Sequence, residues 1–196
     1  MNTPAHLLIG AAVMGGIGRG TTGHRAVIWA AFAGALAPDI SLYLMAGGAL
    51  YLFSIPPEIV FRELYFSDLW QTVFAIDNSF FLWGALLALA LWRRVPWAVA
   101  FAGAGVLHLC LDFPLHHDDG RAHFWPLSSW VFESPFSYWD VGHGAGWISP
   151  LEGALCVAAA VRLWLLRPGL RIMSAVAVLL FAELSVTWIW VFVFSA

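Results

Sequence analysis

Five long apolar stretches, at 26–45, 73–92, 95–111, 148–166 and 172–194, dominate this chain, and none carries more than two charged residues. A bilayer core about 30 Å thick needs about 20 helical residues to cross it. A lone segment in lipid must also satisfy its own backbone hydrogen bonds, which only a helix does. Within these stretches the charged groups are Asp39, Asp77, Glu152, Arg162 and Glu183, and 95–111 has His108 as its one titratable histidine. A further run at 7–18 is apolar but short, and reads as a thin span or a re-entrant helix before Arg19. No positive charge precedes it, which argues against a secretory signal. The pattern predicts an all-α, polytopic membrane helix bundle of about six segments, forming one integral membrane domain over 1–196.

Charge supports that class. Only 11% of the residues are charged, against roughly 25% in soluble domains. The chain has no lysine, and its net charge of −3 leaves no dense basic face for a nucleic-acid partner. Cys110 and Cys156 both lie in apolar stretches, so no disulfide framework is expected. The arginines collect in alternate turns: Arg19 and Arg25, then Arg93 and Arg94, then Arg167 and Arg171. Cytoplasmic loops gather such residues. The expected orientation therefore has both termini and the loops at 46–72 and 113–147 on the outer, periplasmic side of a bacterial inner membrane.

Those outer loops carry their own signals. Residues 57–71 set Ile59, Val60, Phe61, Leu64, Tyr65, Leu69 and Trp70 among charged neighbours, as an interfacial helix would. The 113–147 loop holds Phe124, Trp125, Trp130, Phe132, Phe136, Tyr138, Trp139 and Trp147 among prolines and glycines. Aromatic rings with a polar edge favour the membrane interface, so this loop is expected to fold down as a lid. Loops of this length are usually functional.

Ionisable groups inside a span are costly and mark sites by default. His6 precedes the first apolar run, behind Thr3 and Pro4, which suit a helix start. Asp39 follows Pro38, His108 and Asp112 end the fourth segment, and Glu152 begins the fifth. All fall in the outer half of the expected bundle. His108 and Asp112 are four apart, which puts an imidazole and a carboxylate on one helix face about 6 Å apart at Cβ. His116 and His117 follow Pro114, which ends the helix and lets the chain fold back. This donor set predicts a divalent metal, zinc by its nitrogen and oxygen ligands, held by His6, Asp39, His108, Asp112 and His116 or His117. A hydrogen-bonded His-Asp pair beside a solvated loop is the plainer alternative.

Other polar residues read more weakly. Asp77-Asn78-Ser79 reads equally as a helix cap or as part of the site, and Glu152 and Glu183 read as structural hydrogen-bond partners. Asp140 and His143 suit an ordered loop turn. The glycine-rich turn Gly15-Gly16-Ile17-Gly18-Arg19-Gly20 follows no strand, so close helix packing fits it better than phosphate binding.

The order Thr3-Pro4-Ala5-His6, then Ala37-Pro38-Asp39-Ile40, then His108 and Asp112 followed by Pro114, histidines and Phe124-Trp125-Pro126, resembles the YdjM-like family of inner-membrane metal-dependent hydrolases. Ser41 stands where that family has a second Asp, and Asp77-Asn78-Ser79 where it has Thr-His-Ser. A more distant similarity, through Pro114-Leu115-His116, is to zinc-dependent phospholipase C and P1-type nucleases. The resemblance implies a membrane-embedded metal-dependent hydrolase, and the depth of the site with the aromatic lid points to a phosphoester or lipid-linked substrate at the outer face. Asp118 or His123 then serves as general acid or base, and Arg121 contacts a phosphate. A metal-binding permease, sensor or noncatalytic scaffold is the alternative built on the same residues. Substrate identity and oligomeric state stay open at this point.

Overall fold

Proline placement sets where several helices begin, because a proline needs no hydrogen-bond partner in the first helical turn. Pro4, Pro57 and Pro96 occupy that position in α1 (Thr3–Met14), the single-turn α4 (Pro57–Ile59) and α7 (Pro96–Asp112). The structure, a computed structural model, describes residues 1–20 and 22–194, with side chains through Val186. Among the described residues it is helical, with no strand. The remaining helices are α2 (His24–Leu36), α3 (Ile40–Gly47), α5 (Asp68–Asp77), α6 (Phe80–Arg93), α8 (Ala145–Leu165) and α9 (Leu170–Phe194).

Three helical stretches are long and apolar enough to cross a membrane: His24–Leu52, Asp68–Arg93 and Ala145–Leu165. The first is continuous through a 3-10 turn at Ala37–Asp39 and a π turn at Gly48–Leu52. Thr3–Met14 and Pro96–Asp112 are apolar but shorter. The expected interfacial helix at 57–71 is broken instead. Its first part is a short turn running into a π turn, Val60–Leu64, and α5 starts anew at Asp68 and leads toward α6. Ser67 and Asn78 mark that helix's two ends.

Small residues decide how closely the helices approach, since side-chain bulk otherwise holds two axes apart. A methyl group built on Gly34 of α2 would lie 1.9 Å from the Phe101 carbonyl oxygen of α7. One on Gly105 of α7 would lie 2.2 Å from the Trp83 ring of α6. On Gly10 of α1 it would lie 2.9 Å from the Ala35 methyl group of α2. The buried core along this contact is built from Ala5, Leu8, Ile28, Ala31, Ala100 and Ala104, among others. The helices α1, α2 and α7 therefore meet closely at one end, where His6, Asp39 and His108 lie.

Replacing Gly34 with Ala forces α2 and α7 apart. Overpacking of this kind costs about 1–3 kcal/mol, and a marked drop in midpoint is expected from thermal unfolding in detergent. Gly84→Ala, in α6 with nothing within 4 Å of the added methyl group, is the control. It should hold or raise the midpoint, since Ala is favoured over Gly in a helix by about 1 kcal/mol.

Candidate metal centre

Each element brings its donors because of how its helix begins or ends. His6 stands in the first turn of α1, and the start of α1 is tied down by Asn2. The Asn2 backbone N–H donates to Glu152 Oε1 at 2.6 Å, and its side-chain amide donates to Glu183 Oε1 at 3.1 Å. The two buried glutamates thus anchor this helix start. Asn2, not Thr3, is the residue that caps α1. The Thr3 hydroxyl turns instead to Asp39 Oδ2, at 3.2 Å, and to the Tyr43 hydroxyl. Pro38 sits in the 3-10 turn between α2 and α3, and Asp39 makes no side-chain bond to the following helix, which leaves its carboxylate for the site.

Asp112 ends α7 and His108 lies one turn before it, both buried. The two oxygens of Asp112 face two imidazoles: His6 Nε2 is 2.8 Å from Oδ1 and His108 Nε2 is 3.2 Å from Oδ2. The two rings stack, centroids 3.7 Å apart. His108 Nε2 also lies 3.6 Å from Asp39 Oδ1, and His116 Nε2 lies 3.5 Å from Asp112 Oδ2. The α-amino group of Met1 reaches Asp112 Oδ1 as well, at 2.5 Å.

Hydrogen bonding fixes what these nitrogens offer. His108 Nδ1 donates to the Ala35 carbonyl at 2.7 Å, so in the neutral ring Nε2 carries the lone pair. That lone pair faces carboxylate oxygens, which are acceptors too, and Nε2 is buried with no hydrogen-bond donor. Acceptors facing acceptors in a buried site are stable only with a proton or a metal cation between them. A backbone carbonyl on the far ring nitrogen is also how metal-binding histidines are usually held. His6, His108 and Asp112 each offer a ligand atom within 4.8 Å of the others, a group that could hold a metal ion.

Beyond Asp112 the chain turns at Pro114, and successive residues face opposite ways. His116 faces in, its Nδ1 2.8 Å from Asp119 Oδ1. Burial works against its charge, but Asp112 and Asp119 outweigh that and hold the imidazole above its ordinary value. Asp119 is in turn lowered, against its own burial, by His116. His117 faces away: its Nδ1 donates to the Ser134 carbonyl at 2.7 Å and its ring stacks on His143. Asp118 is exposed. Of the expected site residues, then, the structure gathers His6, Asp39, His108, Asp112 and His116 and leaves His117 and Asp118 outside. Asp119 was not singled out from the sequence, although its spacing of three from His116 could have flagged it.

Asp39, Asp112 and His116 line a cavity of about 280 Å³ whose other wall carries Arg121, His123 and Tyr65. His123 Nδ1 donates to the Arg121 carbonyl at 2.8 Å, which leaves Nε2 as a buried lone pair without a partner. Burial lowers this histidine to about 4, so its ring is neutral at pH 7. Its position is set by the loop. The Phe80 N–H donates to the His123 carbonyl at 2.9 Å, and Phe80 and Phe113 pack against the imidazole. Ser79 caps α6 and donates to the Trp125 carbonyl, while Asn78 bonds the Phe74 and Pro38 carbonyls. The stretch 77–79 therefore works through helix ends, with Asn78 also lining the cavity. Compared with protein-family models, with curated proteins and with solved structures, the chain matches none.

His108→Ala and Asp112→Asn should each abolish stoichiometric metal in elemental analysis of the purified protein. Asp119→Asn, which removes the carboxylate held against His116 Nδ1, should weaken metal binding about 10–100-fold in a competition with a chromophoric chelator, the usual effect of losing a carboxylate that orients a histidine at a metal site. Asp118→Asn should leave that titration unchanged.

Proposed function

We propose that this chain is a membrane-embedded metal-dependent hydrolase whose site opens at the outer face of a bacterial inner membrane. The observation that carries the proposal is His108 Nε2 facing the Asp39 and Asp112 carboxylates while its Nδ1 is held by the Ala35 carbonyl, with both carboxylates lining a cavity that also holds a second, unpartnered imidazole, His123. His6, His108 and Asp112 would hold the ion, with Asp39 and His116 beside them. Two imidazoles and hard carboxylates suit zinc. Such an ion supplies a water acidified toward neutral pH and a Lewis acid for a carbonyl or phosphoryl oxygen.

The protein's own residues do the rest. His123 Nε2 is a neutral acceptor, suited to taking a proton from the attacking water and returning it to the leaving group. Asp119 fixes the His116 ring by its Nδ1. Thr3 donates to the Asp39 carboxylate, and the Tyr43 hydroxyl bonds Thr3 in turn. These contacts preorganise the donors before a substrate arrives, which spares reorganisation during the reaction.

The substrate is lipid-linked in this proposal, cleaved at a phosphoester or an acyl ester. Six segments cross the bilayer, with the arginine-bearing turns in the cytoplasm, and the aromatic 113–147 loop lies on the outer surface. Exposed Leu127, Trp130 and Phe136 on that loop support its contact with lipid. The resemblance of the Thr3–His6, Ala37–Ile40 and His108–Asp112 motifs to those of the YdjM-like hydrolases points to the same activity. A metal-binding permease, sensor or scaffold would use the same residues without turnover.

Zinc-loaded protein in mild detergent should hydrolyse a phosphoester or acyl-ester lipid, and a chelator should stop it. Bound zinc with no turnover on either class would shift the assignment to a binding protein. Periplasm-dependent reporter fusions should be active at residue 120 and silent at residue 94; the reverse would put the site on the cytoplasmic side.

A further inference from the structure

Arg121 is the cation of the cavity that the metal centre does not explain. Its side chain is buried. The guanidinium carbon lies 4.5 Å from the Phe74 ring centroid and 4.9 Å from that of Tyr65. One nitrogen, Nη1, donates to the Tyr65 hydroxyl at 2.5 Å and to the Asp119 carbonyl at 3.1 Å. Both acceptors are neutral oxygens. Among the described residues Arg121 makes no ion pair, and its other N–H groups make no hydrogen bond. The Asp119 carboxylate is already committed to His116 and to the Trp139 indole N–H.

A guanidinium largely withdrawn from bulk water, with the already engaged Asp119 carboxylate as its nearby negative charge, is unfavourable, and aromatic faces compensate only part of that cost. It stands in the wall of the same cavity as Asp39, Asp112 and His116. A group seated there would meet the metal on one side and the Arg121 fork on the other. A neutral acyl ester leaves the guanidinium unpaired. A phosphoryl group offers several oxygens, so it can face the metal and accept from Nε and Nη2 together.

We infer that Arg121, held by Tyr65 and Phe74, is an anion-binding subsite that selects a phosphoryl group, so the substrate is an anionic phosphoester and not a neutral ester. The inference rests on the hydrolase assignment for its biological meaning, but the subsite itself can be read without turnover. Tyr65 and Phe74 come from the 57–77 region, which thus serves as a wall of the site as well as a surface segment.

Inorganic phosphate is the first probe, titrated calorimetrically into the purified full chain in detergent, both zinc-loaded and chelator-treated. Arg121→Met should weaken phosphate about 10–100-fold, the effect of losing a charged hydrogen-bond donor, while zinc content stays that of the unaltered protein. Arg121→Lys, which keeps the charge and loses the fork, should fall between. Phosphatidic acid in mixed micelles is the second probe: tighter binding than inorganic phosphate assigns the anion to a lipid headgroup, and equal binding assigns it to a soluble phosphate. Both results support the subsite. Phosphate binding unchanged in Arg121→Met, or no phosphate binding by the zinc-loaded protein at millimolar concentration, overturns it. Arginine-dependent phosphate binding in a chain that never binds zinc would keep the subsite and sink the metal hydrolase.

Discussion

The carboxylate of Asp112 is buried at the end of α7 with an imidazole facing each of its oxygens. A carboxylate withdrawn from water needs compensating groups close by, and much of the molecule is arranged to bring them there. His6 comes from the start of α1 and His116 from the loop after α7. His108 comes from one turn earlier in the same helix. Asp39 stands behind His108 on the break between α2 and α3. Take away the charge on Asp112 and the two stacked imidazoles lose the group that holds them together.

This convergence depends on close helix packing. Gly34 leaves no room for a side chain against Phe101, and the approach of α2 to α7 that it allows brings the Ala35 carbonyl, which fixes the ring's tautomer, to His108. The bond that sets the chemistry of the site is therefore a product of backbone approach between α2 and α7. Glu152 and Glu183 act at a further remove, by gripping Asn2 and so placing the turn that carries His6. The opposite wall is built differently, from a loop held by aromatic stacking and by backbone bonds, such as those from Ser134 and Tyr138 to the His116 and Leu115 carbonyls.

Much of this was legible in the chain. Apolar runs gave the helices, since helical structure is the local answer to a long segment with few charges. The spacing of four between His108 and Asp112 placed both on one face, and Pro38 and Pro114 located the breaks that free Asp39 and turn His116 inward. What stayed hidden depended on side-chain direction in irregular backbone. After Pro114 no period links position to direction, so His116 could not be told from His117, nor Asp119 from Asp118. The 57–71 segment looked like one amphipathic helix, but a π turn interrupts it. That interruption separates Tyr65 from α5, and the two together frame Arg121. A partner such as the Ala35 carbonyl, set by packing between helices distant in sequence, leaves no local trace at all.

X-ray absorption at the zinc edge, on the zinc-loaded protein, tests the central claim most directly, because it reports which atoms surround the ion. Asp112, His6 and His108 as ligands predict a shell of nitrogen and oxygen at about 2.0–2.2 Å, with the outer-shell scattering of at least two imidazole rings and no sulfur. A shell containing sulfur, or one of oxygen without imidazole scattering, would mean that zinc binds elsewhere and that the cluster around Asp112 is a structural network of histidine and carboxylate.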